Sequence, residues 1–137
     1  MMQTAIFWPV ITMVGLTFVV GLRLAWLRVS GSLKKPGDPK HYNPRNKDEA
    51  PVATTNCSDH FKNLFEVPVL FYTLCIVSYL TGNVDYWQLY LAWAFVGFRL
   101  MHSSIHLTYN NVLHRFGAFL LAMFALIAMT VRLAIGL

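Results

Sequence analysis

Apolar residues fall into four long stretches along this chain. The first runs from Ala5 to Leu22 without a charge and is closed by Arg23 and Arg28. The second begins near Leu64 and ends at Leu80, where Thr81-Gly82-Asn83 supplies a stop. The third extends from about Tyr86 to Leu107 and the fourth from about Val112 to Ile135, with Thr108-Tyr109-Asn110-Asn111 as a tight turn between them. About 20 apolar residues carry an α-helix across roughly 30 Å of hydrocarbon. The pattern therefore predicts an all-α fold, an integral membrane four-helix bundle with spans near 4–27, 61–80, 86–107 and 112–135. Pro9 sits in the first turns of its span, where a missing N–H costs little, and Pro68 is placed to bend the second.

Between the first two spans the character changes. Residues 29–58 are expected as a polar loop, with Gly31, Pro36, Gly37, Pro39, Pro44 and Pro51 among Lys, Asp and Asn. Seven of the eleven Lys and Arg fall between Arg28 and Lys62, and the loop from Thr81 to Asp85 holds none. By the positive-inside rule the long loop faces the cytoplasm and both termini lie on the opposite side of a bacterial inner membrane or an endomembrane. Trp8, Tyr86 and Trp87 then fall in the outer aromatic belt and Trp26 in the inner one.

Composition agrees. Only 12% of residues are charged and 56% are hydrophobic, so lipid is the solvent and one domain, 1–137, accounts for the length. The net charge of +5 comes from a topological loop and calls for no nucleic acid. Cys57 and Cys75 have no framework spacing and read as free thiols. The N-terminus lacks a basic leader and reads as a retained span.

Chemistry enters with depth. Asp59, Lys62, Asn63 and Glu66 fall in the first turns of span two, Arg99, His102 and His106 in the last turns of span three, and His114 and Arg115 at the start of span four. All belong to the cytoplasmic half. Asp59 to Glu66 have offsets of a single helical stripe, as do Arg99, His102 and His106. Charged groups facing lipid are costly, so both stripes are expected to face other helices or a watery pocket, with Glu66 and Arg99 able to pair. The bland alternative is that these groups join helices or snorkel to headgroups. Phe61, Phe65, Phe71, Phe116 and Phe119 read first as packing.

Two constellations stand out. His102 and His106 have the i, i+4 spacing that brings two imidazoles to one metal, but two ligands are too few and no metal is assigned. Arg99 and Arg115 beside Asn63 and Glu66 make a pocket suited to a small zwitterionic anion, since Arg takes carboxylates in paired hydrogen bonds and Glu takes an ammonium. An arginine beside a bound thiol also stabilises the thiolate as a nucleophile.

FKNLFE, with Asn63-x-x-Glu66, and FRLMHSSIHLTYNNVLHRF, with Arg99, His102 and Arg115, resemble the MAPEG family, membrane-associated proteins of eicosanoid and glutathione metabolism. The resemblance covers essentially the whole chain. It implies a homotrimer with glutathione as thiol cosubstrate between subunits. It also implies that Asn63, Glu66, Arg99 and His102 contact the peptide, and that Arg115 lies at its sulfur. Lys62 and His106 join these as candidate contacts. Departures are Asp59, where many family enzymes carry an arginine, His106 in place of tyrosine, and Phe116 and Phe119 in place of hydroxyl donors.

The leading expectation is a glutathione-dependent transferase or peroxidase acting on a lipophilic electrophile or hydroperoxide drawn from membrane lipid. The departures keep open a non-catalytic lipid-binding or scaffold protein of the same family. A metal- or haem-binding bundle is the third reading.

Overall fold

The computed structural model of the protein describes residues 2–34 and 51–137, and every regular element among them is helical. Four rods emerge. The first is α1 (Met2–Ala5) followed by α2 (Phe7–Lys34), the second α3 (Val52–Asn63) followed by α4 (Val67–Leu80), the third α5 (Tyr86–Leu107) and the fourth α6 (Val112–Gly136). Both interruptions have one cause: a proline cannot bond the carbonyl four residues back, and its ring collides with that carbonyl. Pro9 acts on Ala5, and the chain slips at Ile6. Pro68 acts on Leu64, and residues 64–66 form turns before α4 resumes.

Two expectations need correction. Asp59, Lys62, Asn63 and Glu66 do not lie along one unbroken helix, because Glu66 has left helical geometry (φ −96°, ψ −94°) and caps α4. Residues 29–34 and 52–58, expected in the polar loop, are helical, as parts of α2 and α3. Lys35, Lys40, Arg45, Lys47 and the prolines at 36, 39 and 44 lie outside the described residues. What makes 52–63 helical is packing. Thr54, Cys57 and His60 form one buried face, and Cys57 Sγ reaches the Val20 carbonyl at 3.7 Å. Gly21 lets Phe61 pack closely here, since a Cβ at that position would sit 3.0 Å from Phe61 Cε2 and the ring would have to shift.

The interior is a seam of apolar side chains between rods. Ile6, Met13 and Val20 recur every seven residues on the first rod and are fully buried. Phe71 on α4 stacks on Phe95 of α5 with centroids 4.5 Å apart. The most extensive contact joins α5 to α6. There Ala118, Ala122 and Ala125 are buried, and small side chains let two backbones approach closely. By contrast Phe18, Trp26 and Phe124 point outward and are about two-thirds exposed or more. Three of the described helices, Met2–Gly31, Val52–Leu80 and Val112–Gly136, are long and apolar enough to cross a membrane. α5 has the length but is more polar, and of its polar residues Gln88, Arg99, His102, Ser103 and His106 are buried while Ser104 is exposed, its hydroxyl donating to the Leu100 carbonyl.

The end of the bundle away from Lys34 and Val52 is tied by polar caps. Asp85 caps α5, its Oδ1 accepting from Gln88 N at 2.8 Å, while its Oδ2 accepts from Arg132 of α6. The Gln88 amide, then the Arg132 guanidinium, outweigh the opposing effect of burial and hold the Asp85 carboxyl below its usual value. Gln3 Nε2 donates to the Gly82 carbonyl at 2.9 Å, and Gly82 has the positive φ (70°) that the turn requires.

Two outcomes follow. Phe71→Ala should cost about 3–5 kcal/mol in reversible unfolding in detergent, the range for deleting a buried aromatic, while Phe124→Ala on the outer face should be near neutral. For Asp85 the folded value is depressed, so its stabilisation is complete above the unfolded value and is lost as pH falls through the folded one. Thermal midpoints of the wild type should therefore drop in the acid range, and Asp85→Asn should start lower and show a flatter acid limb. Equal acid slopes in the two proteins would assign the effect to another group.

Candidate functional site

The polar residues of α5 recur at 99, 102, 103 and 106, three and four apart, and make one buried face. That face meets the buried face of α3 and the start of α6. Arg99 is the largest fully buried side chain among the described residues, at 0% exposure. Its Nη2 donates to Asn63 Oδ1 at 2.6 Å and reaches the Asn63 carbonyl at 3.5 Å. Asn63 Nδ2 in turn donates to Glu66 Oε2 at 3.5 Å. The break at Pro68 thus places Asn63 between Arg99 and Glu66, and the expected direct pair becomes a relay through an amide. Nε and Nη1 of Arg99 are buried and have no partner.

The turn from α5 to α6 positions Arg115. Asn110 takes the left-handed conformation (φ 47°) that asparagine tolerates, and Asn111 Oδ1 caps α6 by accepting from Leu113 N and His114 N at 3.0 and 3.2 Å. Arg115 therefore lies in the first turn of α6, where the helix dipole repels a cation. Asn110 Oδ1 offsets this by accepting from Arg115 Nη1 at 2.8 Å. The Arg115 carbonyl accepts from His102 Nδ1 at 3.1 Å.

These elements enclose an open cleft of about 270 Å³ lined by Asn63, His102, Val112, Arg115, Phe116 and Phe119. Polar groups stand on one side and aromatic rings on the other. Of the candidate residues, Asn63, His102 and Arg115 line it. Arg99 lies behind Asn63, wholly enclosed. Glu66 is exposed and joins only through Asn63, Lys62 is exposed, and His106 is buried outside the cleft lining. Sequence reasoning did not single out His60. It is fully buried, its Nε2 is 2.8 Å from Ser103 Oγ, and its ring centroid is 4.9 Å from that of His106. Its spacing from Cys57 and Leu64, three and four residues away, is the signal that would have turned it inward.

The family model of the MAPEG family matches residues 6–135, nearly the whole chain. The chain belongs to the MAPEG family. No match was found among curated proteins or among solved structures. Family membership makes this a membrane protein of the glutathione and eicosanoid metabolism class, and in this MAPEG bundle the cleft near the α5–α6 turn is where Asn63, His102 and Arg115 meet.

The relay has a measurable consequence. Asn63→Leu leaves the Arg99 guanidinium without its side-chain acceptor and should cost about 1–3 kcal/mol or more, the penalty for stranding a buried polar group. Arg99→Met should relieve that penalty in the double variant, giving a non-additive cycle in unfolding measurements. Additive losses would mean that the two side chains act independently.

Proposed function

We propose that the protein is a membrane-embedded, glutathione-dependent transferase or peroxidase that acts on a lipophilic electrophile or hydroperoxide. The observation that carries this reading is the meeting of Asn63, His102 and Arg115 with Phe116 and Phe119 around one open cleft. In this reading Arg115 holds the thiolate by charge, and its hydrogen bond from Nη1 to Asn110 fixes the guanidinium in place. Asn63 and His102 orient the peptide, and Arg99 and Glu66 act from behind by holding the Asn63 side chain in place. Phe116 and Phe119 offer the apolar wall against which a lipophilic cosubstrate lies. The thiolate attacks the electrophilic carbon as the leaving group departs with the bonding pair. With a hydroperoxide it attacks the terminal oxygen, the O–O bond breaks to release the alcohol, and a second glutathione condenses with the sulfenic acid to give disulfide and water.

The cleft is small beside the ~300–1,000 Å³ typical of ligand pockets, and it is open on one side. Closure by a neighbouring copy in a homotrimer fits that shape. The same reading keeps the long loop in the cytoplasm and both termini across the membrane, which puts the cleft within reach of a water-soluble thiol. His106 and Lys62 are given no direct contact with the peptide from the one chain. A second reading, a non-catalytic lipid-binding member, is favoured by Phe116 and Phe119, which bring no hydroxyl to the thiol.

Purified protein in detergent should show a higher thermal midpoint with millimolar glutathione, by mass action on the folded state. Conjugation of a generic electrophile by Arg115→Ala should fall about a hundredfold or more, as when one group stabilising a developing anion is removed, with the glutathione shift retained. No shift and no turnover in the wild type would transfer support to the lipid-binding reading.

A further inference from the structure

Three histidines converge beside the cleft. His60 comes from α3, and His102 and His106 from α5, and all three are buried. One ring nitrogen of each lies within 4.8 Å of the other two, and the ring centroids are 4.9, 5.6 and 5.8 Å apart. The i, i+4 pair seen in the sequence thus acquires the third ligand that it lacked.

Proton inventory decides which nitrogens carry lone pairs. The Ser103 hydroxyl has one hydrogen and gives it to the Arg99 carbonyl at 2.8 Å. Its oxygen can therefore only accept from His60, so His60 carries its proton on Nε2 and its lone pair on Nδ1. That Nδ1 is buried and has no partner. The Arg115 carbonyl likewise only accepts, so His102 is protonated on Nδ1 and has its lone pair on Nε2. Nδ1 of His106 is also buried and unpartnered. A buried acceptor without a donor is costly. His60 Nδ1 is such an acceptor, and His60 and His102 are each held by an oxygen at one ring nitrogen while keeping the lone pair on the other, the arrangement that accompanies metal-ligating histidine.

We infer that His60, His102 and His106 form a binding site for one zinc-class divalent cation, with the fourth coordination position turned toward the cleft that His102 lines. Three imidazoles and one open position suit a tetrahedral ion, whose ligand nitrogens at about 2.0–2.1 Å from the metal stand about 3.3 Å apart. Side-chain rotation on α3 and α5 closes the remaining distance. Arg99 and Arg115 both act electrostatically on these rings and oppose a bare dication, while Asp59 acts on His106 with the opposite sign. The fourth ligand is accordingly an anion, hydroxide or a thiolate. The ion would also fasten α3 to α5. The inference stands apart from the glutathione reading, and its test uses no thiol.

Untagged protein in detergent, loaded with Zn2+ and freed of excess by gel filtration, should retain about one ion per chain by elemental analysis. His60→Gln and His106→Gln should each reduce retention at least tenfold, whereas His114→Gln, which alters an exposed histidine, should not. Zn2+ loading should raise the thermal midpoint of the wild type and leave that of His60→Gln unmoved. Should those variants fail to fold, Co2+ in the wild type is the second measurement. Intense visible bands of a four-coordinate site support the inference. Weak six-coordinate bands, no retained zinc, or equal retention in His60→Gln overturns it.

Discussion

A guanidinium with no exposure, enclosed by helices that themselves face hydrocarbon, constrains everything near it. Arg99 cannot turn outward, because a cation in lipid is costly, and it cannot be left alone inside. The bundle answers with Asn63, and Asn63 is in place only because α3 stops there. Had the helix run on through residue 66, the amide and carboxylate would follow one continuous stripe. Pro68 instead releases the chain over residues 64–66, so that the Asn63 carbonyl and side chain both turn to Arg99 while Glu66 stays outside. One proline thus converts a salt-bridge arrangement into a relay that leaves two guanidinium nitrogens unspent.

That constraint also explains the division of labour among the helices. Apolar length suffices for the first, second and fourth rods to meet lipid. α5 is the carrier of polar groups, and it is tolerable in a membrane because its polar face is turned to α3 and α6. Close approach to α6 depends on Ala118, Ala122 and Ala125, and in a bundle without a hydrophobic driving force such small residues supply the packing. Buried polar side chains and close packing therefore share one helix pair, and the cleft opens near its turn.

The four spans, the stop at Thr81–Asn83 and the depth of Arg99, His102 and Arg115 are visible in the order of residues, since charge-free length and local turn chemistry are properties of adjacent positions. Residues 52–58 were not readable as helix, because Val-Ala-Thr-Thr-Asn-Cys-Ser has little apolar periodicity and owes its form to α2 beside it. Lys62 and Glu66 illustrate a second limit. Offset within a span gives a face, and whether that face turns inward depends on a break whose consequences are three-dimensional. His60 shows a third. It lies beside Asp59 and Lys62, whose charges drew attention to the polar side of the helix, while the face shared with Cys57 carried it inward.

His102 belongs to both arrangements, and its hydrogen bond explains how. By donating Nδ1–H to the Arg115 carbonyl it fixes the backbone of the first turn of α6, the turn that carries the Arg115 guanidinium. The same bond directs the Nε2 lone pair away from that turn. A single tautomer therefore links the position of the cleft's cation to the presentation of an acceptor in the histidine cluster. Any change that reverses this tautomer would place a proton on Nε2, where the proposed cation needs a lone pair, and would remove the tie between His102 and the first turn of α6.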